Sequence, residues 1–228
     1  MDALLQSARA LDGSAPRELL EWTVTNFSKR TVLTVSFGGG GVVLAHMVHV
    51  IDPTIPVVFL NTGFHFEETL AFKSQLVQRY GWNVMEVHPL SDPGRLYETD
   101  PDRCCAIRKV EPMQRMLHGY DAWISALRRD QSVTRQQLDV AEWHDADDGG
   151  RILKVYPLLH WSGKDVWRYL YEHGIPHHPL LDQGYRSIGC WPCTRPVRPG
   201  EDERAGRWSG TGKTECGLYT FTSQEKKD

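Results

Sequence analysis

Between Thr31 and Leu158, β-branched apolar runs alternate with stretches of helical character, and the first junction in that series constrains the chain most. Thr31 to Ser36 reads as a strand, Phe37-Gly38-Gly39-Gly40-Gly41 follows it, and Val42 to Val50 resumes as a helix. A strand, a glycine loop and a helix in that order bring backbone N–H groups and the positive end of a helix dipole to a place an anion can reach. The three spaced glycines of a dinucleotide loop are missing, as is the Gly-Lys-Ser/Thr of a nucleotide loop, so this loop alone also fits a plain tight turn. Further strands are expected at Pro56 to Leu60, Trp82 to Val87, Ala122 to Ala126 and Arg151 to Leu158. Ser162 is placed to cap a helix over Lys164 to His173, and residues 1–30 read as helical scaffold. The alternation predicts an α/β fold, a mostly parallel sheet with helices on both faces. Its ligand belongs beyond the carboxyl ends of the strands, where Ser36 and Thr62 fall.

After Pro176 the chain turns irregular, and three of its five cysteines lie there: Cys190 and Cys193 in Cys-Trp-Pro-Cys, and Cys216 in Lys-Thr-Glu-Cys-Gly-Leu. The other two are adjacent, Cys104 and Cys105. No apolar stretch approaches the roughly 20 residues a membrane span needs, and no secretory leader is visible, so a soluble, cytoplasmic protein is expected. An odd cysteine count in a reducing compartment argues against a disulfide framework and for metal binding or thiol chemistry. A net charge of −3 gives no general affinity for nucleic acid. Arginines and lysines nevertheless crowd the segments that carry cysteine, which a solvated basic face does not explain on its own.

The Cys190–Cys193 spacing matches a thioredoxin-type dithiol, but Pro196 and Pro199 oppose the helix that such a motif opens. Zinc requires four ligands converging on one ion. On a helix the side chains of Cys104 and Cys105 diverge by about 100°, which suits a larger target better, a four-iron cluster shared with Cys190 and Cys193. His177 and His178 lack the paired spacing of metal ligands. Cys216 is then left over, set between basic residues and glycine on a tail, and reads as a nucleophile.

These residues together resemble the sulfonucleotide reductases, in particular the iron–sulfur branch that reduces adenylyl sulfate. The resemblance spans nearly the whole chain and rests on Cys-Cys-x-x-Arg-Lys at Cys104 to Lys109, Arg128-Arg129-Asp130-Gln131-Ser132 with Arg135, the Cys-x-x-Cys, the run from Gly200 to Trp208, and Glu-Cys-Gly-Leu at Glu215 to Leu218. It implies an ATP-pyrophosphatase-like domain, related to the adenine nucleotide alpha hydrolases, over residues 1–194, which binds nucleotide and bears the cluster. A flexible tail, 195–228, would carry the catalytic cysteine. It places Ser36, Phe37, Gly38, Leu60 and Thr62 around the nucleotide and offers Lys109, Arg128, Arg129, Arg135, Arg204 and Arg207 for the substrate's negative charge. It makes Cys216 the attacker of the sulfur of adenylyl sulfate, leaves a [4Fe-4S] cluster without a redox role, and requires thioredoxin or glutaredoxin to release sulfite. A homo-oligomer is compatible with the sequence, which does not specify one.

Three positions depart from the family's pattern. Gly39, Gly40 and Gly41 stand where relatives often carry Ala-Glu-Asp, Ala126 replaces a glycine before the arginine pair, and Tyr219 stands where the common ending has histidine. Tyr219 predicts slower turnover of the same reaction. The rival readings are a reductase of phosphoadenylyl sulfate, whose members generally lack the four cluster cysteines; an ATP-pyrophosphatase or sulfurtransferase relative, whose loop aspartate is missing here; and an iron–sulfur nucleotide sensor, which would not need Cys216.

Overall fold

Strand β1 (Thr31–Thr34) sits at the centre of the sheet because neither of its faces is polar: Val32 and Leu33 point in opposite directions and both are fully buried. The computed structural model describes residues 2–146 and 149–218. Helices α1 (Asp2–Arg9) and α2 (Pro16–Phe27) precede β1, and α3 (Gly39–Ile51), β2 (Val57–Leu60), α4 (Glu67–Tyr80) and β3 (Val84–Val87) follow it. A helical run built of α5 (Pro101–Cys105), a wider π turn over Ala106–Val110 and α6 (Glu111–Leu117) leads to β4 (Ala122–Ile124). The sheet is completed by β5 (Ala141–Asp145) and β6 (Arg151–Val155), and α7 (Gly163–Glu172) closes the domain.

The strand order is β3-β2-β1-β4-β6-β5, parallel except for the antiparallel edge strand β5. The chain builds outward from β1 to β2 and β3, then returns to the other side of β1 for β4, so β1 and β4 flank a switch point. The expected α/β architecture holds. Strand β5 escaped the sequence reading, as did the helical run from α5 to α6.

The two faces of the sheet are covered unequally. Leu33, Val57, Phe59, Ile124, Leu153 and Val155 face the larger layer, where Leu20 of α2, Leu44 of α3, Leu76 of α4 and Leu170 of α7 join one core. Val32, Val58, Trp123 and Ile152 face the opposite way, onto Met113 and Leu117 of α6, with Leu218 of the tail against them. Ser162 caps α7 as expected: its hydroxyl accepts from the Asp165 amide, and the Asp165 carboxylate accepts from the Ser162 amide at 2.8 Å. No helix among the described residues is long and apolar enough to cross a membrane.

Residues 195–218 form no further helix, yet they fold back on the domain. Thr194 pairs with Arg207 in a single bridge, the Arg195 amide donates to the Gly206 carbonyl at 2.9 Å, and the Trp208 amide donates to Cys193 at 2.9 Å. Tyr219 and the rest of the C-terminus lie outside the described residues.

Candidate active site

The loops leaving β1 and β4 open onto a cavity of about 620 Å³, a size that suits a nucleotide-sized ligand. Ser36, Gly38, Leu60, Thr62, Lys109, Arg128, Arg135, Arg204, Arg207, Cys190 and Cys216 all line it. Ser36 reaches the cavity because the strand ends at Thr34, two residues earlier than expected. Phe37 has a left-handed backbone (φ 58°), costly for a bulky residue, while its ring is fully buried at 5.4 Å from that of Phe59. That ring anchors the turn, so only the backbone of Phe37 can serve a ligand. Gly38 then caps α3, whose free amides face the cavity.

Two of the three glycines that break the family pattern, Gly39 and Gly41, sit in tight packing. A Cβ on Gly39 would stand 3.1 Å from Val166 of α7, and one on Gly41 3.0 Å from Val35. A side chain at either position would require Val166 of α7, or Val35 just past β1, to give way by a few tenths of an ångström.

The basic residues divide sharply by partner. The Arg128 guanidinium is held by Asp130 at 2.9 Å and lies 3.5 Å from Glu203. Arg129 does not reach the cavity, contrary to expectation: both its Nε and Nη2 donate to the Leu138 carbonyl, at 3.0 and 2.7 Å. The backbone at Arg128 is extended (φ −130°, ψ 146°), so consecutive side chains point apart, one into the site and one behind it. Arg135 and Arg204 both bond to Glu215. Lys109 and Arg207 have no carboxylate partner among the described residues, although Arg207 donates weakly to the Ile188 carbonyl at 3.4 Å.

Behind this cavity lies a narrow cleft lined by Cys104, Cys105, Cys190 and Cys193, together with Arg108, Lys109 and Trp208. Asp100 starts α5 by accepting from the Arg103 amide at 2.9 Å, with Pro101 next to it, which sets both adjacent cysteines on one short helix. The π turn that follows carries Arg108 and Lys109, and such widened turns recur at functional sites because they re-aim side chains. Arg108 reaches across to the Thr62 carbonyl at 2.7 Å, stacks 3.9 Å over Phe64 and pairs with Asp92, tying the β2 loop to the cysteine helix. The sequence reading gave Arg108 no role of its own, and only this long-range geometry reveals one.

The four thiols are not equivalent. Burial alone would raise Cys190, but Lys109, the Thr62 hydroxyl 3.3 Å away and Arg207 carry it below the usual thiol range. Burial pushes Cys105 up to about 11 and raises Cys104 and Cys193 as well. Lys109 is itself buried, which disfavours its charge, yet the sulfurs of Cys190, Cys216 and Cys105 keep it protonated well above the usual range. No three His, Cys, Asp or Glu side chains among the described residues converge closely enough for one metal ion. The four thiols share one cleft, and Cys190 acts on the titration of Cys104, Cys105 and Cys193. His178 is no ligand: it is buried against Thr69 and Leu180.

Trp208 forms the partition between cavity and cleft. It is buried with φ 46°, packs with Cys105 and Cys216, and has Arg207, Lys213, Arg204 and Lys109 around its ring at 4.4, 5.6, 5.8 and 5.9 Å. Cys216 packs with Trp208 and Cys105 and lines the cavity beside Lys109, Arg204 and Arg207.

A mostly parallel α/β sheet with a cation-lined cavity at its switch point and a tail thiol in the cavity wall defines an α/β protein of the nucleotide-binding kind. Residues 30–196 match the phosphoadenosine phosphosulfate reductase domain, and the chain belongs to that family of sulfonucleotide reductases. It is 42% identical over 211 residues to an adenosine 5′-phosphosulfate reductase of Lysinibacillus sphaericus, covering 89% of each chain. It is 43% identical over 223 residues to a phosphoadenosine 5′-phosphosulfate reductase of Gloeobacter violaceus, covering 93% of this chain and 91% of that one. Among solved structures, the phosphoadenylyl-sulfate reductase of Candida auris in complex with phosphate superimposes with a TM-score of 0.72 at 28% identity, covering 84% of this chain and 96% of that one. The resemblance seen in the sequence and the fold expected from it both hold.

Proposed function

We propose that the chain reduces adenylyl sulfate to sulfite and AMP, with Cys216 as nucleophile, in sulfate assimilation in the cytoplasm. The observation that carries this reading is the position of Cys216 in the wall of a cavity where Lys109 and Arg207 lack carboxylate partners. The sulfur of Cys216 attacks the sulfonate sulfur, the bond from that sulfur to the bridging phosphate oxygen breaks, and AMP departs with the electron pair. Lys109 and Arg207 oppose the negative charge that builds between thiolate and sulfonate, and burial strengthens their effect. Cys216 is left as an S-sulfonate. A thiolate of thioredoxin, or of glutaredoxin, then attacks the Cys216 sulfur and expels sulfite, and its second thiol resolves the mixed disulfide. The reductant's dithiol supplies both electrons. For that attack the tail from residue 195 onward must swing outward.

Cys104, Cys105, Cys190 and Cys193 would hold a [4Fe-4S] cluster, as four thiols lining one cleft beside the protonated Lys109 favour. When bound, it supplies fixed charge beside Lys109 rather than electrons.

Mass spectrometry of anaerobically purified protein incubated with adenylyl sulfate and no reductant tests the reading. Wild type should gain about 80 Da, lost again as sulfite on adding thioredoxin, while Cys216→Ser should gain nothing. An unmodified wild type would refute it. One observation favours the 3′-phosphorylated nucleotide instead: Lys164 and Arg186 line the cavity and are exposed, without a carboxylate partner among the described residues. Comparing kcat/KM for the two nucleotides decides between them.

A further inference from the structure

The residue before Cys216 is held by two arginines. Glu215 is only 9% exposed, and its carboxylate accepts two parallel bonds from Arg135, from Nε and Nη2, both at 2.9 Å. Arg204 Nη2 adds a third at 3.1 Å, and the Ser132 and Thr134 hydroxyls stand at 3.3 Å. The same Arg204 nitrogen also donates to the Thr214 carbonyl at 3.0 Å, so the two residues leading into Cys216 are fixed by one guanidinium. Burial alone would raise the Glu215 carboxyl, but the Arg135 pair outweighs it and keeps the group ionised. The remaining Arg135 nitrogen, Nη1, bonds to Gln131, which in turn accepts from the Arg128 amide at 3.2 Å. The clamp is thus anchored in the loop that leaves β4.

A bidentate arginine–carboxylate pair fixes direction as well as distance, because two parallel bonds leave the carboxylate one orientation. We infer that Glu215 is a positioning residue, which docks the tail by bridging Arg135 and Arg204 and so sets Cys216 in the cavity wall. The inference rests on the reading that Cys216 is the nucleophile. It also reassigns two cations. While the tail is docked, Arg135 and Arg204 are spent on the protein's own carboxylate, and of the cavity-lining cations around Trp208, Lys109 and Arg207 are left for the substrate. The clamp has to open when the reductant takes over the sulfonate.

The test compares wild type, Glu215→Gln and Glu215→Asp as full-length protein purified without oxygen. The rate of Cys216 alkylation by iodoacetamide is followed by peptide mass spectrometry with no nucleotide present. Losing one partner of a buried pair undocks the tail, so Glu215→Gln should alkylate at least about tenfold faster. In turnover it should lower kcat by a similar factor with KM within about twofold, and Glu215→Asp should recover part of kcat. Arg204→Gln, which alters a less buried partner, should move both readouts the same way and serves if Glu215→Gln does not fold. Wild-type alkylation rates in the variants, or an unchanged kcat, would overturn the inference. A raised KM with kcat intact would do so too, by assigning the two arginines to the substrate. Alkylation needs no nucleotide, so failure of wild type to form the sulfonate adduct would sink the functional reading separately.

Discussion

Replacing Arg108 with methionine separates the scaffold of the cysteine cleft from its chemistry. The Arg108 side chain is 6% exposed, so its interactions are shielded from water. Its bond to the Thr62 carbonyl at 2.7 Å is charge-assisted and contributes about 1.5–3 kcal/mol. Its stacking at 3.9 Å over Phe64 adds about 1–2 kcal/mol in a desolvated setting. The pair with Asp92 adds less than about 1 kcal/mol, because the Asp92 side chain is 80% exposed. Methionine recovers part of the apolar contact, so a net loss of about 3 kcal/mol is expected for Arg108→Met and below about 1 kcal/mol for Asp92→Asn. The assay is anaerobic urea unfolding followed by tryptophan fluorescence. With an m-value of about 3 kcal/mol/M, the midpoint should drop by about 1 M for Arg108→Met and by no more than about 0.3 M for Asp92→Asn. Equal shifts would refute the reasoning, since they would place the energy in the exposed ion pair rather than in the carbonyl bond.

Lys109→Met should slow formation of the Cys216 adduct by about 10²–10³-fold in single-turnover mass spectrometry, the usual cost of losing a preorganised charge; a loss below tenfold would remove Lys109 from the reaction. Arg129→Gln should leave kcat/KM within about twofold of wild type while costing about 1 kcal/mol of stability, because its guanidinium serves the Leu138 carbonyl. His178 gives a pH signature. Its Nδ1 accepts from the Leu180 amide at 3.2 Å, so the ring is neutral, and burial lowers its pKa to about 4. The unfolded chain takes up this proton first, so the contribution is fully present above about pH 6.5 and falls by about 3 kcal/mol as pH drops towards 4. Thermal midpoints that fall equally steeply in His178→Gln would refute this assignment.

The sheet was legible because its inner strands are short runs of β-branched and aromatic residues that parallel sheets bury on both faces. Strand β5 was not. Its sequence Ala-Glu-Trp-His-Asp is that of an exposed edge, and its identity comes from pairing with β6, which no local pattern announces. The run from α5 to α6 was hidden by Pro112 and by the π turn, both of which disturb a 3.6-residue period. At the site, residue type alone could pick out thiols and cations but could not say which cations were already taken. Arg128 and Arg129 look alike in sequence and face opposite ways. Glu215 stands in the Glu-Cys-Gly-Leu motif, but its docking role is not legible there, because an acid among basic residues reads as solvated and its partner Arg135 lies 80 positions away. Tyr219 falls outside the described residues, so its effect on turnover stands as an expectation from sequence.

The unequal layers of the sheet give the cysteine helix a second duty. The helical run that begins with Cys104 and Cys105 continues into α6, whose Met113 and Leu117 cover Val32, Val58 and Ile152. Met116, Tyr120 and Leu218 complete the cover on that face. Oxidising the adjacent thiols to sulfinic acids would force charge into a buried cleft, loosen the helix and uncover the parallel strands beneath it. Oxidative damage to this protein would then surface as aggregation and proteolytic clearance as well as lost turnover. Cellular abundance would thereby come to track the integrity of the cleft.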